Sequence, residues 1–499
     1  MASHKEFDWK DGDNGRLERN IDEAEQFYTT LARRFEGTGR IFFAMTAHVS
    51  FSVPRTTHSL APINALKNAW LQVRYDHPTI ASWVEFDSKS SKCKKIYEPI
   101  TDIHDQRCAE WLDKTFQIIS NGQTGQEWCN SDPPVPKLPT LFLITRPSSS
   151  DTYTADVVLR SQHDVVDGIG SLHLLNNLFH HASLFLDQPD RQLPNFGDEA
   201  KNLSPPLRVA ASIPDTLQPV QQTRLDEIYE KNSLLRGDSE IAELPFRRGP
   251  KTPQRHQRVE LNMSLKESED ILNAIKSIGV SVTHVYHAAI ALTLRKLQER
   301  TSGERKVRYI NYALINERPL CRHPYNTSKH PAAVYHSVSG LSLVIDLDVP
   351  SSTTEQGTAS SNLTKQQFLH VVEDVSRYYT TIRDDKEHIA LAPSYWSKAT
   401  PPYPVGDNPP PVPQPNEQPS VSISSLGVID KIISPKHGEF ELESPWVTGE
   451  ELGTGLGLFL GTFRGSMCLS AAYNDAWHDE SKVSKFLQDC NDLVVHYLL

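Results

Sequence analysis

The sequence predicts an α/β protein of two lobes with mixed sheets, and three observations carry that expectation. Helical and strand periodicities alternate along nearly the whole chain. At 499 residues the chain exceeds what one hydrophobic core ordinarily holds. A polar, proline-containing stretch near the middle separates two halves, each mixing helices with antiparallel-looking hairpins. That mixture favours two layered lobes over a parallel barrel, and no repeat at solenoid spacing occurs.

Ile21, Ala24, Phe27, Tyr28, Leu31 and Phe35 form one stripe of a helix over about 20–36. Residues 40–53 are rich in aromatic and β-branched side chains and read as a strand. Ile63, Leu66, Trp70 and Val73 mark a second helix, closed by His77-Pro78. Residues 83–87 and 94–97 read as a hairpin, 111–119 as a helix and 141–145 as an apolar strand. After a Pro-Ser-Ser-Ser turn, 155–160 alternates as a half-buried strand. Leu175, Leu178, Phe179 and Ala182 then recur at helical spacing. The first lobe is therefore expected over 1–200.

A crossover linker is expected over 201–257, containing Ser204-Pro205-Pro206 and the basic run Arg247-Arg248-Gly249-Pro250-Lys251, read as solvated. The second lobe, 258–499, opens with a strand at 258–263 and helices at 266–276 and 283–299, with Thr283 as N-cap of the latter. Strands at 307–314 and 341–347 and a helix at 368–383 follow. Residues 400–419, with Pro409-Pro410-Pro411, show neither period and read as an extended spacer. Strands at 421–425, 457–463 and 467–473 and a helix over about 481–498 close the chain.

Composition narrows the function. A net charge of −11, from 51 basic and 62 acidic residues, excludes a general nucleic-acid binder but permits a local basic patch. No run of eighteen apolar residues predicts a membrane span, and the polar N-terminus lacks a secretory apolar region. The six cysteines are scattered without a C-x-x-C pair. No metal or redox centre is expected, and a reducing, cytoplasmic home is the simplest reading.

One stretch reads as chemistry: Ser161-Gln162-His163-Asp164-Val165-Val166-Asp167-Gly168-Ile169-Gly170. It places an imidazole where a strand ends, a carboxylate four residues on, and glycines where a helix begins. Such a turn holds a ring rigidly and leaves it open to a substrate. A helix start also welcomes a carboxylate as a cap. On local physics alone the turn fits a catalytic histidine and an ordinary hydrogen-bonded one equally well. Other patterns are weaker. Gly453-Thr454-Gly455-Leu456-Gly457 does not open a helix, as a phosphate loop would. His284-x-x-His287 lacks the glutamate of a metalloprotease motif, and no Gly-x-Ser-x-Gly elbow occurs.

His-Asp-Val-Val-Asp-Gly resembles the His-x-x-x-Asp-Gly motif of the CoA-dependent acyltransferase superfamily, which includes plant BAHD enzymes, chloramphenicol acetyltransferase and peptide-synthetase condensation domains. Gly279-Val280-Ser281-Val282-Thr283, leading into a His/Ala-rich helix, is similar to the opening of that superfamily's second half. So is the strand ending in Asn316-Glu317-Arg318. The segments Thr462-Phe463-Arg464-Gly465-Ser466-Met467 and Ala472-Tyr473-Asn474-Asp475-Ala476-Trp477-His478 resemble the fungal trichothecene 15-O-acetyltransferase branch.

The resemblance implies two chloramphenicol-acetyltransferase-like sandwich lobes with a tunnel between them. It implies His163 as general base, Asp167 as structural support through an ion pair with an arginine, Arg318 being the candidate, and Gly168 as a point of close approach to the ligands. Acetyl-CoA, or another acyl-CoA, is the implied co-substrate, with no bound cofactor and a small hydroxylated, terpenoid-like acceptor. A monomer is expected. Two departures from the pattern stand out. Gln162 occupies the place of a second histidine found in many relatives, and the plant Asp-Phe-Gly-Trp-Gly motif is absent, with Ser424-Ser425-Leu426-Gly427 in a similar place. The rival readings are a condensation-like enzyme using a carrier-protein donor or catalysing a cyclisation, and a binding protein that keeps the fold without the reaction.

Overall fold

The computed structural model describes residues 4–54, 60–87, 92–146, 152–352, 364–404 and 420–499. The triple proline at 409–411 lies outside these residues, as does most of the expected spacer.

A six-stranded mixed sheet organises the first half. Its order is Lys436–His437, Phe440–Gly449, Met45–Pro54, Thr152–Ser161, Thr140–Thr145 and Phe116–Ile119, with only the last pair parallel. Helices Ala61–Asp76 and Gly168–Asp187 cover one face, burying Leu66, Trp70, Leu172, Leu175 and Phe179 against Val49, Phe51 and Val157. Each of these large side chains contributes about 1.5–3 kcal/mol by leaving water. A smaller antiparallel sheet of Lys10–Asp11, Leu17–Asn20, Lys92–Tyr97 and Trp83–Asp87 flanks this layer.

The second half is built on Val421–Val428, Leu456–Phe463, Ser466–Asn474 and His256–Asn262, the first pair parallel and the others antiparallel. Helix Val282–Leu297 is buried on every side from Val285 to Leu294, so its polar face is almost absent. It packs between helices Lys365–Arg383 and Glu480–Leu498 and the pair Arg305–Asn311/Leu343–Val349. Both sheets are mixed, as expected. Among the described residues no single helix is long and apolar enough to cross a membrane.

Several expectations need correction. The helix expected over 111–119 spans Gln106–Thr115, and Phe116–Ile119 is an edge strand. The β-branched pair Ile118-Ile119 favours the strand, and Phe116 is buried in the sheet's core. Ser281, not Thr283, caps helix Val282–Leu297: its side chain accepts from the His284 N–H, while Thr283 Oγ1 donates to Ser425 Oγ at 2.8 Å. The 201–257 stretch is not all linker, because Pro219–Leu234 is a helix with proline at its first position. The second lobe does not keep 258–499 to itself either. Strand Phe440–Gly449 joins the first half's sheet beside Met45–Pro54, since Phe440, Leu442 and Val447 complete that core. The strand was hidden in the sequence by a bulge: its register slips between Glu443 and Trp446, with Ser444 at φ 48°.

Candidate active site

His163 sits on the turn between strand Thr152–Ser161 and helix Gly168–Asp187. The turn is braced from below. Lys95 Nζ, itself buried, donates to the Asp164 carbonyl at 2.5 Å and to Glu25 Oε1 at 2.5 Å. Glu25 also takes two hydrogen bonds of 2.7 Å from Arg19. Burial would raise the Glu25 pKa, but Arg19 and Lys95 hold it down at about 2, so the carboxylate stays charged between them. Thr29 Oγ1 donates to Asp164 Oδ2 at 3.3 Å.

Asp167 caps the helix. Its Oδ1 accepts from the Gly170 N–H at 2.7 Å. Its Oδ2 accepts from Arg318 Nη1 at 2.8 Å and from the Tyr335 N–H at 2.9 Å. Burial alone would raise its pKa, yet the Arg318 guanidinium and the His336 ring hold it well below the usual carboxylate range. The structure therefore brings Asp167 and Arg318 together, across 151 residues of chain, in a buried pair that ties the two halves. These contacts commit the carboxylate to the helix cap and to the second half.

Gly168 lines the cavity described below, and a Cβ there would meet Val447 at 3.4 Å, an ordinary contact. The crowded glycine is Gly170, where a Cβ would overlap the Pro331 carbonyl and stand 2.9 Å from Arg318 Nη2. The tightest packing in the motif is thus at Gly170, two residues beyond Gly168.

The His163 ring stacks on Tyr28, with ring centres 3.8 Å apart and planes at 10°, and lies 5.2 Å from the His336 ring. Its Nδ1 is buried on the protein side, and the residue lines the cavity described below. Burial first, and His336 second, push its pKa down to about 3. The ring is therefore neutral at physiological pH and free to accept a proton. Tyr28 Oη and His336 Nε2 are 2.8 Å apart. Burial raises the Tyr28 pKa well above the usual value, so it stays a phenol. His336 Nδ1 lies 3.8 Å from Asp167 Oδ2.

His163 opens into a cavity of about 650 Å³ where the two halves meet. Phe27, Tyr28 and Met45 line it from the first half, and Tyr312, His336, Trp396 and Leu458 from the second. Ser424, Ser425 and Leu426 also line it, on a strand whose pairing slips between Ser425 and Gly427. Gln162 does not reach it: Gln162 Nε2 donates to the Lys137 carbonyl at 3.2 Å. His287 is a core residue between Tyr309 and Tyr379. Among the described residues no group of three histidine, cysteine or acidic side chains is placed to hold a metal ion.

Sequence reasoning missed most of the lining residues, among them Tyr28, His336 and Trp396. Tyr28 reads as one more apolar position of its helix stripe. His336 sits in a three-residue strand, His336–Val338, too short to show a period. Trp396 belongs to helix His388–Ala399, which Pro393 conceals.

The family model described as 15-O-acetyltransferase Tri3 matches residues 5–318. The acetyltransferase pigO of Monascus ruber is 22% identical over 498 residues, covering 98% of this chain and 97% of the relative. Among solved structures, the TRI3 trichothecene 15-O-acetyltransferase of Fusarium sporotrichioides superposes with a TM-score of 0.78 at 19% identity, covering 99% of this chain and 98% of that one. The first condensation domain of the CDA synthetase superposes with a TM-score of 0.62 at 14% identity, covering 97% of each chain.

Proposed function

Because the chain belongs to the 15-O-acetyltransferase Tri3 family, and is an acetyltransferase on that ground, we propose that it moves an acetyl group from acetyl-CoA to a hydroxyl of a fungal secondary metabolite in the cytoplasm. The observation that carries this reading is the His163 imidazole lining the cavity where the two halves meet. In the proposed reaction His163 Nε2 takes the proton of the acceptor hydroxyl as its oxygen attacks the thioester carbonyl. The tetrahedral intermediate collapses, the C–S bond breaks, and the leaving thiolate takes the proton back from the imidazolium. The ring ends as it began, and no covalent enzyme intermediate is required.

The supporting parts have distinct tasks in this reading. Asp167 and Arg318 hold the turn against the second half. Tyr28, fixed through its hydroxyl to His336, presents a flat face that sets the imidazole plane. Lys398 and the hydroxyls of Ser424 and Ser425 line the same cavity and suit the phosphate and amide groups of the CoA arm. A terpenoid or polyketide acceptor fits the apolar walls given by Phe27, Trp396 and Leu458.

The test is thiol release from acetyl-CoA in the presence of a panel of hydroxylated terpenoids and azaphilones. His163→Ala is expected to lower turnover by about 10²–10⁴-fold while keeping the melting temperature. Equal rates for wild type and variant would show that His163 is not the base. A parallel arm with an acetylated carrier protein separates a CoA donor from a condensation-like one.

A further inference from the structure

One carboxyl group in the cavity has no part in the chemistry above. Glu451 lines the cavity, is 7% exposed, and forms no ion pair among the described residues. Its backbone is clamped. The Glu451 N–H donates to His256 Nδ1 at 3.1 Å, and its carbonyl accepts from Asn474 Nδ2 at 3.2 Å. Its Oε1 accepts from the Gly453 N–H at 2.6 Å. A carboxyl group held this firmly beside a cavity, with no cation near it, is a costly arrangement unless something in the cavity uses it.

The neighbouring acid shows the contrast. Glu450 is also buried, but its Oε2 takes a 2.8 Å hydrogen bond from Arg160 Nη2. The other titratable groups facing Glu451 are His256, neutral with a pKa of about 3, and Tyr312. Burial, and then Glu451 itself, push the Tyr312 phenol up to about 12. Neither neighbour supplies a positive charge. Burial pushes the Glu451 carboxyl up to about 8, so at neutral pH it is mostly protonated. The Gly453 and Leu452 N–H groups both bond this carboxyl and lower its pKa, by less than burial raises it, and the side chain lines the cavity. Tyr312 and Ser422 line the cavity too, giving a small polar patch among apolar walls.

We propose that Glu451 is a specificity-determining hydrogen-bond donor that holds an uncharged oxygen of a substrate, a ketone, lactone, ether or amide carbonyl, in this cavity. The proposal rests on the acetyl-transfer reading only for the identity of the two substrates. The oxygen belongs either to the acceptor or to the amides of the acetyl-CoA arm, and the two sources are separated by binding each alone. A carboxylate would repel such an oxygen, so binding weakens as the acid ionises.

The experiment is equilibrium binding of acetyl-CoA and of a hydroxylated trichothecene ketone, each followed by tryptophan fluorescence, with Trp396 in the cavity wall as reporter. Wild type, Glu451→Gln and Glu451→Ala are compared at pH 7 and pH 9. Wild type is expected to bind one probe about tenfold more weakly at pH 9 than at pH 7. Glu451→Gln, which keeps a donor that cannot ionise, is expected to lose that pH dependence. Glu451→Ala is expected to bind the same probe at least tenfold more weakly at pH 7. If Glu451→Ala fails to fold, the flattened pH dependence of Glu451→Gln decides alone. Binding of both probes within twofold of wild type in the variants, or no binding of either probe to wild type, overturns the assignment. A wild type that binds with this pH dependence but releases no thiol sinks the acetyl-transfer reading and leaves the Glu451 assignment standing.

Discussion

Asp167→Asn separates the cap from the charge. Asparagine caps helices about as well as aspartate, so the Gly170 N–H keeps a partner and the cap contributes almost nothing to the change. The charge is another matter. Arg318 is 4% exposed, and its Nε and Nη2 already lack partners. Without the carboxylate its guanidinium is a buried cation with no anion. The asparagine amide would also turn donors toward Arg318 Nη1 and the Tyr335 N–H. Removing one member of a buried pair costs about 3–5 kcal/mol. With an unfolding entropy of about 2.1 cal/mol/K per residue, that is a fall in Tm of roughly 3–5 °C for a chain of this length unfolding as one unit. Urea melts of Asp167→Asn, Arg318→Met and the double variant measure the cycle. Losing both charges is expected to cost less than the two single losses together, with a coupling of at least about 2 kcal/mol. Costs that add to within about 0.5 kcal/mol would refute the reasoning that this pair ties the halves.

Gly170→Ala is expected to destabilise by more than about 2 kcal/mol, because the new Cβ overlaps the Pro331 carbonyl, whose backbone must move. Gly168→Ala, read in the same thermal melt, is expected to cost under about 1 kcal/mol, and the reverse order would contradict the packing described above. The acid limb of kcat/KM is expected to lie below pH 5 as far as His163 is concerned, since its folded pKa is about 3; a limb centred near 6.5 would show a solvated ring. His163, His256 and His287 all have pKa values lowered to about 3, so below pH 6.5 the unfolded chain binds more protons than the folded one. Stability is therefore complete above 6.5 and falls as pH drops toward 3, by about 2 kcal/mol per histidine at pH 5. Urea midpoints at pH 7 and pH 5 measure this, and His287→Gln is expected to shrink the difference.

The local parts of the site were legible because a strand, a turn and a helix are contiguous. The stripe of Leu175, Leu178 and Phe179 and the apolar run Val157-Val158-Leu159 locate His163 without any long-range information, although the strand is buried on both faces from Ala155 to Ser161 and not half-buried as its alternation predicts. The link from Asp167 to Arg318 spans 151 residues, and only the family resemblance made Arg318 a candidate. Tyr28 and His336 carry no signal of their own. One is an aromatic in a core stripe, the other a lone histidine, and their roles arise only when Tyr28 meets both rings. Thr283 looked like a cap because it precedes the apolar stripe, yet Ser281 starts the helix two residues earlier. Glu451 carries no signal in the sequence, because the His256 and Asn474 contacts that draw its backbone inward come from segments 195 and 23 residues away.

Strand Phe440–Gly449 has a consequence for synthesis. Until it pairs with Met45–Pro54, that strand leaves a row of backbone N–H and C=O groups at an open sheet edge. A ribosome that has just delivered Pro54 needs roughly 20–80 s more, at 5–20 residues per second, to deliver Gly449. Throughout that interval the half bearing His163 is an incomplete sheet with part of its core uncovered. The growing chain is then most open to chaperones and to self-association. A fragment ending before residue 440 would remain in that state, and its missing piece could be supplied in trans as a separate strand.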